Sequence, residues 1–185
     1  MPHKGQIIKN PNTGDVFEFL ETCESTNGER MILHQTIRSK GHLYPNHLQT
    51  LQDETFEVVA GKLTIWLDGE TKILTEGEKI TLPKNIPHNH FNDHDEPATF
   101  IQTVFPALDF DYLLENLIGF NIDGKLHNGN ASLIQSLVTL RYLESKIFLP
   151  GIPIVFQKIA MNIVGPISRL FGYRAIYKKY SGIEK

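Results

Sequence analysis

The sequence predicts a mainly β domain followed by α-helices. Through residues 1–106, short runs of alternating apolar and polar side chains are separated by turn-forming residues roughly every 8 to 15 positions. After Pro106 the spacing of the apolar residues lengthens to that of amphipathic helices. The chain has 185 residues, 41% of them hydrophobic and 21% charged. This composition is typical of a globular protein with one domain, or one domain and an appendage.

Nine strands are predicted in the first part of the chain. They lie near Asp15–Thr22, Arg30–Arg38, Tyr44–Gln49, Glu54–Ala60, Lys62–Leu67, Glu70–Leu74, Glu78–Leu82, His88–Phe91 and Ala98–Phe105. Asp68-Gly69 is the strongest hairpin signal, because both residue types accept the positive φ of a two-residue turn. Short strands at such intervals indicate an all-β sandwich or barrel, and we favour a barrel formed by residues 1–106.

Residues 107–185 are predicted to form three helices. The first starts at Asp109 or Asp111, either of which can cap a helix. The second follows Asn130, and two prolines separate it from a third over Ile154–Phe171. We expect this helical extension to pack on the barrel or on a partner subunit.

The last helix has a broad apolar face. Lys158, Asn162 and Arg169 fall on one helical stripe and leave the rest apolar. Residues 145–183 contain six basic residues and no acidic one. The longest apolar stretch, Ile147–Phe156, has ten residues, whereas a membrane span needs about 20. We therefore favour packing of this face, with an interfacial membrane helix as the alternative.

Composition and charge argue against several classes of protein. The single cysteine, Cys23, leaves no disulfide framework and no cysteine-based zinc site. The net charge of −3 and the lack of a basic DNA-reading helix argue against nucleic-acid binding. The first residues lack the apolar run of a signal peptide, so the expected location is cytoplasmic.

Three polar residues between Gly41 and Gly61 indicate a metal site. Side chains alternate along a strand, so His47 and Gln49 point to the same face. Glu54 opens the next predicted strand and faces the same way. An imidazole, an amide oxygen and a carboxylate then converge from two adjacent strands. These groups suit a divalent metal that prefers nitrogen and oxygen ligands.

A second polar run places three residues on one strand face: His88, His90 and Asn92. His88 would supply the missing ligand if its strand lies beside the strand of His47. His90 also points inward, as a general base or a substrate contact, or else as a structural residue at the barrel rim. A structural role is predicted for His34.

These residues fit two motifs of the cupin superfamily, which the sequence resembles as a single-domain cupin of the cupin 2 type. Every interval of both motifs matches. The first motif is formed by Gly41, His47, Gln49, Glu54 and Gly61, and the second by Gly77, Pro83, Asn85, His88 and Asn92.

The resemblance implies a double-stranded β-helix (jelly-roll) barrel with one divalent metal ion inside it, held by His47, Gln49, Glu54 and His88. It also implies a homodimer. Gln49 departs from the family pattern, which more often has histidine there. A neutral amide is a weaker ligand, so metal affinity should fall and preference should shift toward harder ions. Asn85 replaces a glycine, which is a mild change because asparagine accepts left-handed turn geometry.

Three functions remain open from the sequence. The first is a small-molecule enzyme that uses iron, nickel or manganese in a dioxygenase-like reaction, or manganese or zinc in an isomerase, lyase or hydrolase reaction. The second is a non-catalytic barrel that binds a small molecule. The third is a metal-free, epimerase-like enzyme in which His47, His88 or His90 transfers a proton.

Overall fold

The computed structural model describes residues 1–42, 44–127 and 130–185. Eleven strands occur in this part of the chain: Ile7–Lys9 (β1), Val16–Glu21 (β2), Met31–Ile37 (β3), Leu48–Gln49 (β4), Asp53–Ala60 (β5), Lys62–Leu67 (β6), Glu70–Thr75 (β7), Lys79–Leu82 (β8), His88–Phe91 (β9), Ala98–Phe105 (β10) and Ile147–Phe148 (β11). The helices are Phe110–Ile122 (α1), Leu133–Tyr142 (α2), Ile154–Arg169 (α3) and Lys178–Ser181 (α4).

The strands form antiparallel sheets around one apolar core. The larger sheet has the order β1-β2-β3-β10-β5-β8, and the smaller one has the order β7-β6-β9. The inner faces of both sheets contribute fully buried side chains, among them Phe19, Phe56 and Phe100 from the larger sheet and Leu63 and Ile65 from the smaller. The predicted fold class, a mainly β jelly-roll barrel followed by C-terminal helices, is confirmed.

Alternating apolar and polar residues explain why the strand predictions agree with the structure. In β3 every second residue from Met31 to Ile37 is buried, and β10 follows the same pattern. The bounds of β6, β9 and β10 are those predicted. Asp68 and Gly69 form the hairpin turn between β6 and β7, with φ values of 48° and 94°.

The predicted strand over Tyr44–Gln49 is wrong for most of its length, because β4 has only two residues. The side-chain amide of Asn89 donates to the Tyr44 carbonyl and to Asn46 Oδ1. The Asn89 side chain therefore makes hydrogen bonds to this segment in place of those that a neighbouring strand's backbone would make. No periodic signal in the sequence distinguishes this arrangement from a strand.

Two short strands were not predicted. β1 pairs with β2 at the edge of the larger sheet. β11 lies in the helical half and pairs with β4, which opposes Phe148 to Leu48 and Ile147 to Gln49. A strand of two or three residues is too short to show an alternating pattern, so tertiary contacts determine both.

All three predicted helices are present. The backbone of Asp109 caps α1, but its carboxylate accepts hydrogen bonds from the Glu144 and Ser145 amides instead of from α1 itself. Ser132 caps α2 by accepting from the Gln135 amide. The third helix ends at Arg169, two residues before the predicted end, because a tighter turn and a left-handed glycine follow it.

The helical extension packs on the barrel through α1. Phe110, Leu113 and Ile118 are buried in the same apolar cluster as the barrel strands. α2 and α3 pack on each other around a second cluster that includes Phe148 and Met161. No helix in the described ranges is long and apolar enough to cross a membrane.

Gly61, between β5 and β6, is expected to be a sensitive position in the barrel. It has a φ of +78°, and a Cβ there would lie 2.3 Å from the Pro97 carbonyl oxygen. Gly77 has a similar φ of +81° but open space around it. We expect Gly61→Ala to reduce the free energy of unfolding by about 3 kcal/mol and Gly77→Ala by about 1 kcal/mol. Urea denaturation measures both values, and equal losses would show that the clash has no effect.

Candidate metal centre

Three buried side chains meet inside the barrel. Potential ligand atoms of His47, Glu54 and His88 all lie within 4.8 Å of one another. His47 directly precedes β4, Glu54 lies near the start of β5, and His88 opens β9. The backbones of His47 and His88 exchange two hydrogen bonds, of 3.0 and 2.7 Å. The segment of His88 thus lies beside that of His47, which is the condition under which His88 could join the cluster.

The relation between His47 and Glu54 differs from the prediction of adjacent strands. β4 pairs with β11, whereas β5 pairs with β8 and β10. The two side chains meet because the chain turns sharply between β4 and β5 and both strands face the barrel interior. The convergence is thus a tertiary feature and not a cross-strand pair.

Backbone carbonyls fix the tautomers of the two histidines. His47 Nδ1 lies 2.9 Å from the Pro45 oxygen, and His88 Nδ1 lies 2.9 Å from the Ile86 oxygen. A carbonyl oxygen can only accept, so each Nδ1 carries the hydrogen and donates it. In the neutral ring this leaves Nε2 as the free lone pair, the arrangement that metal-ligating histidines need.

The Glu54 carboxylate is held by amide side chains on one oxygen only. Gln49 Nε2 and Gln102 Nε2 donate to Glu54 Oε1 at 2.7 and 3.0 Å. Gln35 in turn donates to Gln102 at 2.7 Å. Glu54 Oε2 has no hydrogen-bond partner among the described residues and lies 3.4 Å from His88 Nε2.

Gln49 is therefore in contact with the cluster, as the sequence predicted. Its Oε1 is buried and has no hydrogen-bond partner in the described part of the chain. The amide both orients Glu54 and offers an oxygen to a cation. Its role as a metal ligand stays a prediction.

Gln35 and Gln102 were not singled out from the sequence, although a signal was present. Each is a polar residue at a buried position of an alternating strand, Gln35 in β3 and Gln102 in β10. Buried amides need hydrogen-bond partners. Two such residues on paired strands indicate a polar group nearby, which here is Glu54.

Electrostatics favour the cation-binding forms of Glu54 and His47, the charged carboxylate and the neutral imidazole, whereas they favour the protonated form of His88. Burial by itself would raise the pKa of Glu54, but the neighbouring histidines, His88 above all, lower it to about 2. Burial lowers the pKa of His47. Burial also disfavours the charged form of His88, yet its contact with Glu54 raises the pKa overall.

The donor set fits a divalent metal ion. Glu54 Oε2, His88 Nε2 and Gln49 Oε1 are buried atoms without hydrogen-bond partners among the described residues. Buried polar atoms normally have hydrogen-bond partners. Three unpartnered atoms on neighbouring side chains therefore favour a bound metal ion as their common partner. A carboxylate with imidazole nitrogens suits iron, manganese, nickel or zinc.

His90 points inward, as predicted. It is 7% exposed, and its ring centroid lies 4.4 Å from that of Phe56 and 5.6 Å from that of Phe100. Its Nδ1 has no hydrogen-bond partner among the described residues. Burial lowers the pKa of His90 to about 4, so the ring is neutral near pH 7.

Two other polar residues of the predicted strands are structural. Asn92 donates hydrogen bonds to the carbonyls of Ile37 and Glu96. His34 lies on the outer face of β3, where its Nδ1 is 3.7 Å from Glu18.

A cavity of about 570 Å³ leads from this cluster into the helical half of the protein. His47, Glu54 and His90 line its polar end. Most of the remaining wall is apolar and much of it comes from α1, α2 and α3, with Leu113, Leu117, Leu137, Leu140, Ala160 and Met161 among its residues. The helices thus form the outer part of the chamber whose inner end is the candidate metal centre.

Comparison with known proteins identifies the domain. Residues 33–104 match the family described as "Cupin domain". The chain contains a cupin domain. The matched segment covers all the candidate metal-site residues, and it ends before the C-terminal helices. Among curated proteins, none matches the chain.

Solved cupin structures resemble the chain at low identity. KdgF from Halomonas sp. is 18% identical, with a TM-score of 0.46 over 55% of this chain and 86% of the other. An RmlC-like cupin from Shewanella frigidimarina is 21% identical, with a TM-score of 0.45 over 56% and 85%. A sugar phosphate isomerase of the cupin superfamily from Silicibacter pomeroyi is 20% identical, with a TM-score of 0.44 over 50% and 59%.

The structure also explains the second departure from the cupin motif. Asn85 has a φ of +66°, in the left-handed region that a glycine would adopt freely. The backbone N–H of Asn85 donates a 2.7 Å hydrogen bond to the backbone carbonyl oxygen of Gln49. Asparagine tolerates this conformation, as expected, and the turn helps to hold the segment that carries Gln49.

Proposed function

We propose that this cupin protein is a metal-dependent enzyme that acts on a small molecule with an oxygen-bearing polar group and an extended apolar part. The observation that carries the proposal is the shared chamber. One end contains the His47, Glu54 and His88 cluster, and the other is a mostly apolar channel between helices. Such a chamber suits a ligand that is polar at one end and apolar along the rest of its length.

His47, Gln49, Glu54 and His88 are the residues that would hold the metal. The set contains one carboxylate and three neutral groups, so a divalent ion would leave about one net positive charge. The ion would supply a Lewis acid for an anionic or enolate oxygen of the substrate. Gln102 and Gln35 would keep the Glu54 carboxylate in place.

His90 is our candidate for moving a proton. It lines the chamber beside the cluster, and its Nδ1 has no competing hydrogen bond among the described residues. Phe56 and Phe100 pack against the ring and restrict its orientation. A substrate in the chamber would lie within reach of this imidazole.

The identity of the metal would separate the reaction classes. Iron, nickel or manganese would favour a dioxygenase-like oxidoreductase, and redox-silent manganese or zinc would favour an isomerase, lyase or hydrolase. Fold alone does not choose between them, because the chemistry depends on the site.

A non-catalytic binding barrel is the second candidate, and Gln49 is the observation that favours it. An amide in place of the usual histidine weakens the metal site, whereas the apolar channel would still bind a ligand. A metal-free epimerase-like enzyme using His47, His88 or His90 is the third. The predictions of a small-molecule ligand and a homodimer accompany all three proposals.

Elemental mass spectrometry of untagged protein tests the proposal. We expect near-stoichiometric iron, manganese, nickel or zinc after reconstitution. Gln49→Ala should weaken metal binding about tenfold, because it removes a ligand oxygen and a hydrogen bond to Glu54. His34→Ala, a histidine change on the outer surface, should leave metal content unchanged.

Absence of metal from the reconstituted wild-type protein would contradict the metalloenzyme proposal. Tight ligand binding by that metal-free protein without turnover would then support the binding barrel. Turnover in the presence of a chelator would support the epimerase-like alternative.

A further inference from the structure

The outward side of α3 and the turn after it form an exposed apolar surface. Six large side chains on it are between 49% and 85% exposed. This surface, the α3 outer face, consists of Phe156, Ile159, Ile163, Ile167, Leu170 and Phe171. Ile159, Ile163 and Ile167 are spaced by four residues and therefore share one side of the helix. Contiguous exposed apolar surface of this kind marks an interaction site.

Packing within the chain does not account for this surface. α3 packs on α2 through its opposite side, where Met161, Gly165 and Ser168 are buried. Gly165 approaches α2 so closely that a Cβ there would lie 3.0 Å from Arg141 side-chain atoms. The helix is thus apolar on two sides, and only one of them is used by the described residues.

Two unpaired cations lie together along one edge of the exposed side of α3. Lys158 and Arg169 are exposed and have no carboxylate partner in the described part of the chain. Each instead lies near an aromatic ring, Lys158 Nζ at 5.7 Å from the Phe148 centroid and Arg169 Cζ at 4.6 Å from that of Tyr142. Residues 145–183 contain six basic residues and no acidic one.

This charge pattern favours an anionic partner over a second copy of the chain. A two-fold dimer uses the same patch on both subunits, so it would bring two cationic faces together. Apolar side chains bordered by lysine and arginine are instead the pattern of a helix that lies in the interface of an anionic membrane.

The cavity opens on the same side of the molecule. Leu133, Leu149, Ile152 and Phe156 line the cavity and are 71%, 39%, 49% and 62% exposed. Phe156 belongs both to the cavity wall and to the α3 outer face. Phe156 therefore connects the exposed side of the helix to the wall of the chamber.

We propose that the α3 outer face docks on the surface of a membrane that contains anionic phospholipids, with the cavity mouth against the lipid. An apolar ligand would then pass from the bilayer into the chamber without crossing water. The docking depends on neither a bound metal nor turnover, so it can hold or fail independently of the proposed function.

Cosedimentation with vesicles tests the proposal, using full-length protein in the presence of a metal chelator. The vesicles are phosphatidylcholine alone and an equal mixture of phosphatidylcholine and phosphatidylglycerol. We expect binding to the mixed vesicles and little to phosphatidylcholine. Ile163→Asp should abolish binding, whereas Ile73→Asp should not, although Ile73 on β7 is 50% exposed and Ile163 58%.

The cations are tested by a second matched pair of variants. Lys158→Gln with Arg169→Gln should weaken vesicle binding about 25-fold, since each cation near an anionic surface contributes about fivefold. Lys62→Gln with Lys72→Gln removes the same charge from the distant sheet and should have little effect. Thermal melts confirm that each variant is folded.

Three results would overturn the proposal. One is failure of the wild-type protein to bind either kind of vesicle, and another is vesicle binding that Ile163→Asp leaves intact. The third is a dimer, measured by analytical ultracentrifugation, that Ile163→Asp dissociates while vesicles do not bind. That result would assign the face to a second copy of the chain.

Discussion

Glu54→Gln is expected to lower the affinity for a divalent metal by about a hundredfold or more and also to lower the free energy of unfolding of the metal-free protein at pH 7. The substitution removes the only carboxylate of the cluster. A glutamine could still accept the hydrogen bonds from Gln49 and Gln102 through its Oε1. Its NH₂ group would take the place of Oε2, which lies 3.4 Å from the unpartnered Nε2 of His88.

The expected loss of stability follows from the electrostatics of the buried carboxylate. Glu54 is 1% exposed, and its neighbours lower its pKa from 4.5 to about 2, so the fold favours the charged form. A lowered carboxyl pKa contributes stability that is present above the unfolded pKa and is lost as the pH falls through the folded value. Removing one partner of the buried Glu54–His88 pair, whose atoms lie 3.4 Å apart, should therefore cost about 3 kcal/mol at pH 7.

Metal titration and urea denaturation of the metal-free protein check the two halves of this prediction. Glu57→Gln is the matched control, because Glu57 lies on the same strand but is exposed. Unchanged metal affinity in Glu54→Gln would remove Glu54 from the ligand set. Unchanged stability of the metal-free Glu54→Gln protein would show that the neighbours of Glu54 do not favour its charged form in the fold.

Phe148→Ala is expected to have the largest effect on stability, a loss of about 4 kcal/mol in the free energy of unfolding. Phe148 is 1% exposed and packs with Leu137 and Met161 between α2 and α3. It also lies in β11, which pairs with β4 and so connects the helical half to the segment of His47 and Gln49. The cavity left by the ring would loosen both contacts.

Hydrogen exchange distinguishes this coupling from a uniform loss of stability. We expect the amides of β4 and of α2 to exchange faster in Phe148→Ala, and those of β3 and β10 to change less. Leu149→Ala is the control. Leu149 follows Phe148 in the chain and is 39% exposed, so its truncation should cost less than about 1 kcal/mol in the free energy of unfolding. Equal protection of β4 in both variants would mean that the helices do not support the ligand segment.

The sequence alone was sufficient for the features that depend on local spacing. The alternating pattern of β10 predicted its bounds, and that of β3 predicted its bounds to within one residue at each end. The spacing of His47, Gln49, Glu54 and His88 predicted the residues that meet inside the barrel. The first succeeds because side-chain direction in a strand alternates with period two, a property that neighbouring residues determine. The second succeeds because the motif spacing names the residues, although their convergence depends on the turn between β4 and β5 and on the pairing of His47 with His88.

Only the tertiary structure decided how distant segments combine. The pairing of β4 with β11 joins segments from opposite halves of the chain and leaves no periodic signal in either. Gln35 and Gln102 lie at buried positions that a pattern reveals, but their approach to Glu54 depends on the pairing of β3 with β10.

The chamber combines features that the sequence predicted with features that only the tertiary structure decided. Sequence reasoning predicted a barrel with a metal cluster and a helical extension of uncertain placement. The placement of α1, α2 and α3 over the cluster end follows from burial of apolar faces, which is a non-directional force that does not specify a partner in the sequence. The residues of the candidate centre could therefore be named from the sequence, whereas their convergence, the access route to them and the exposed apolar surface of α3 were determined by packing.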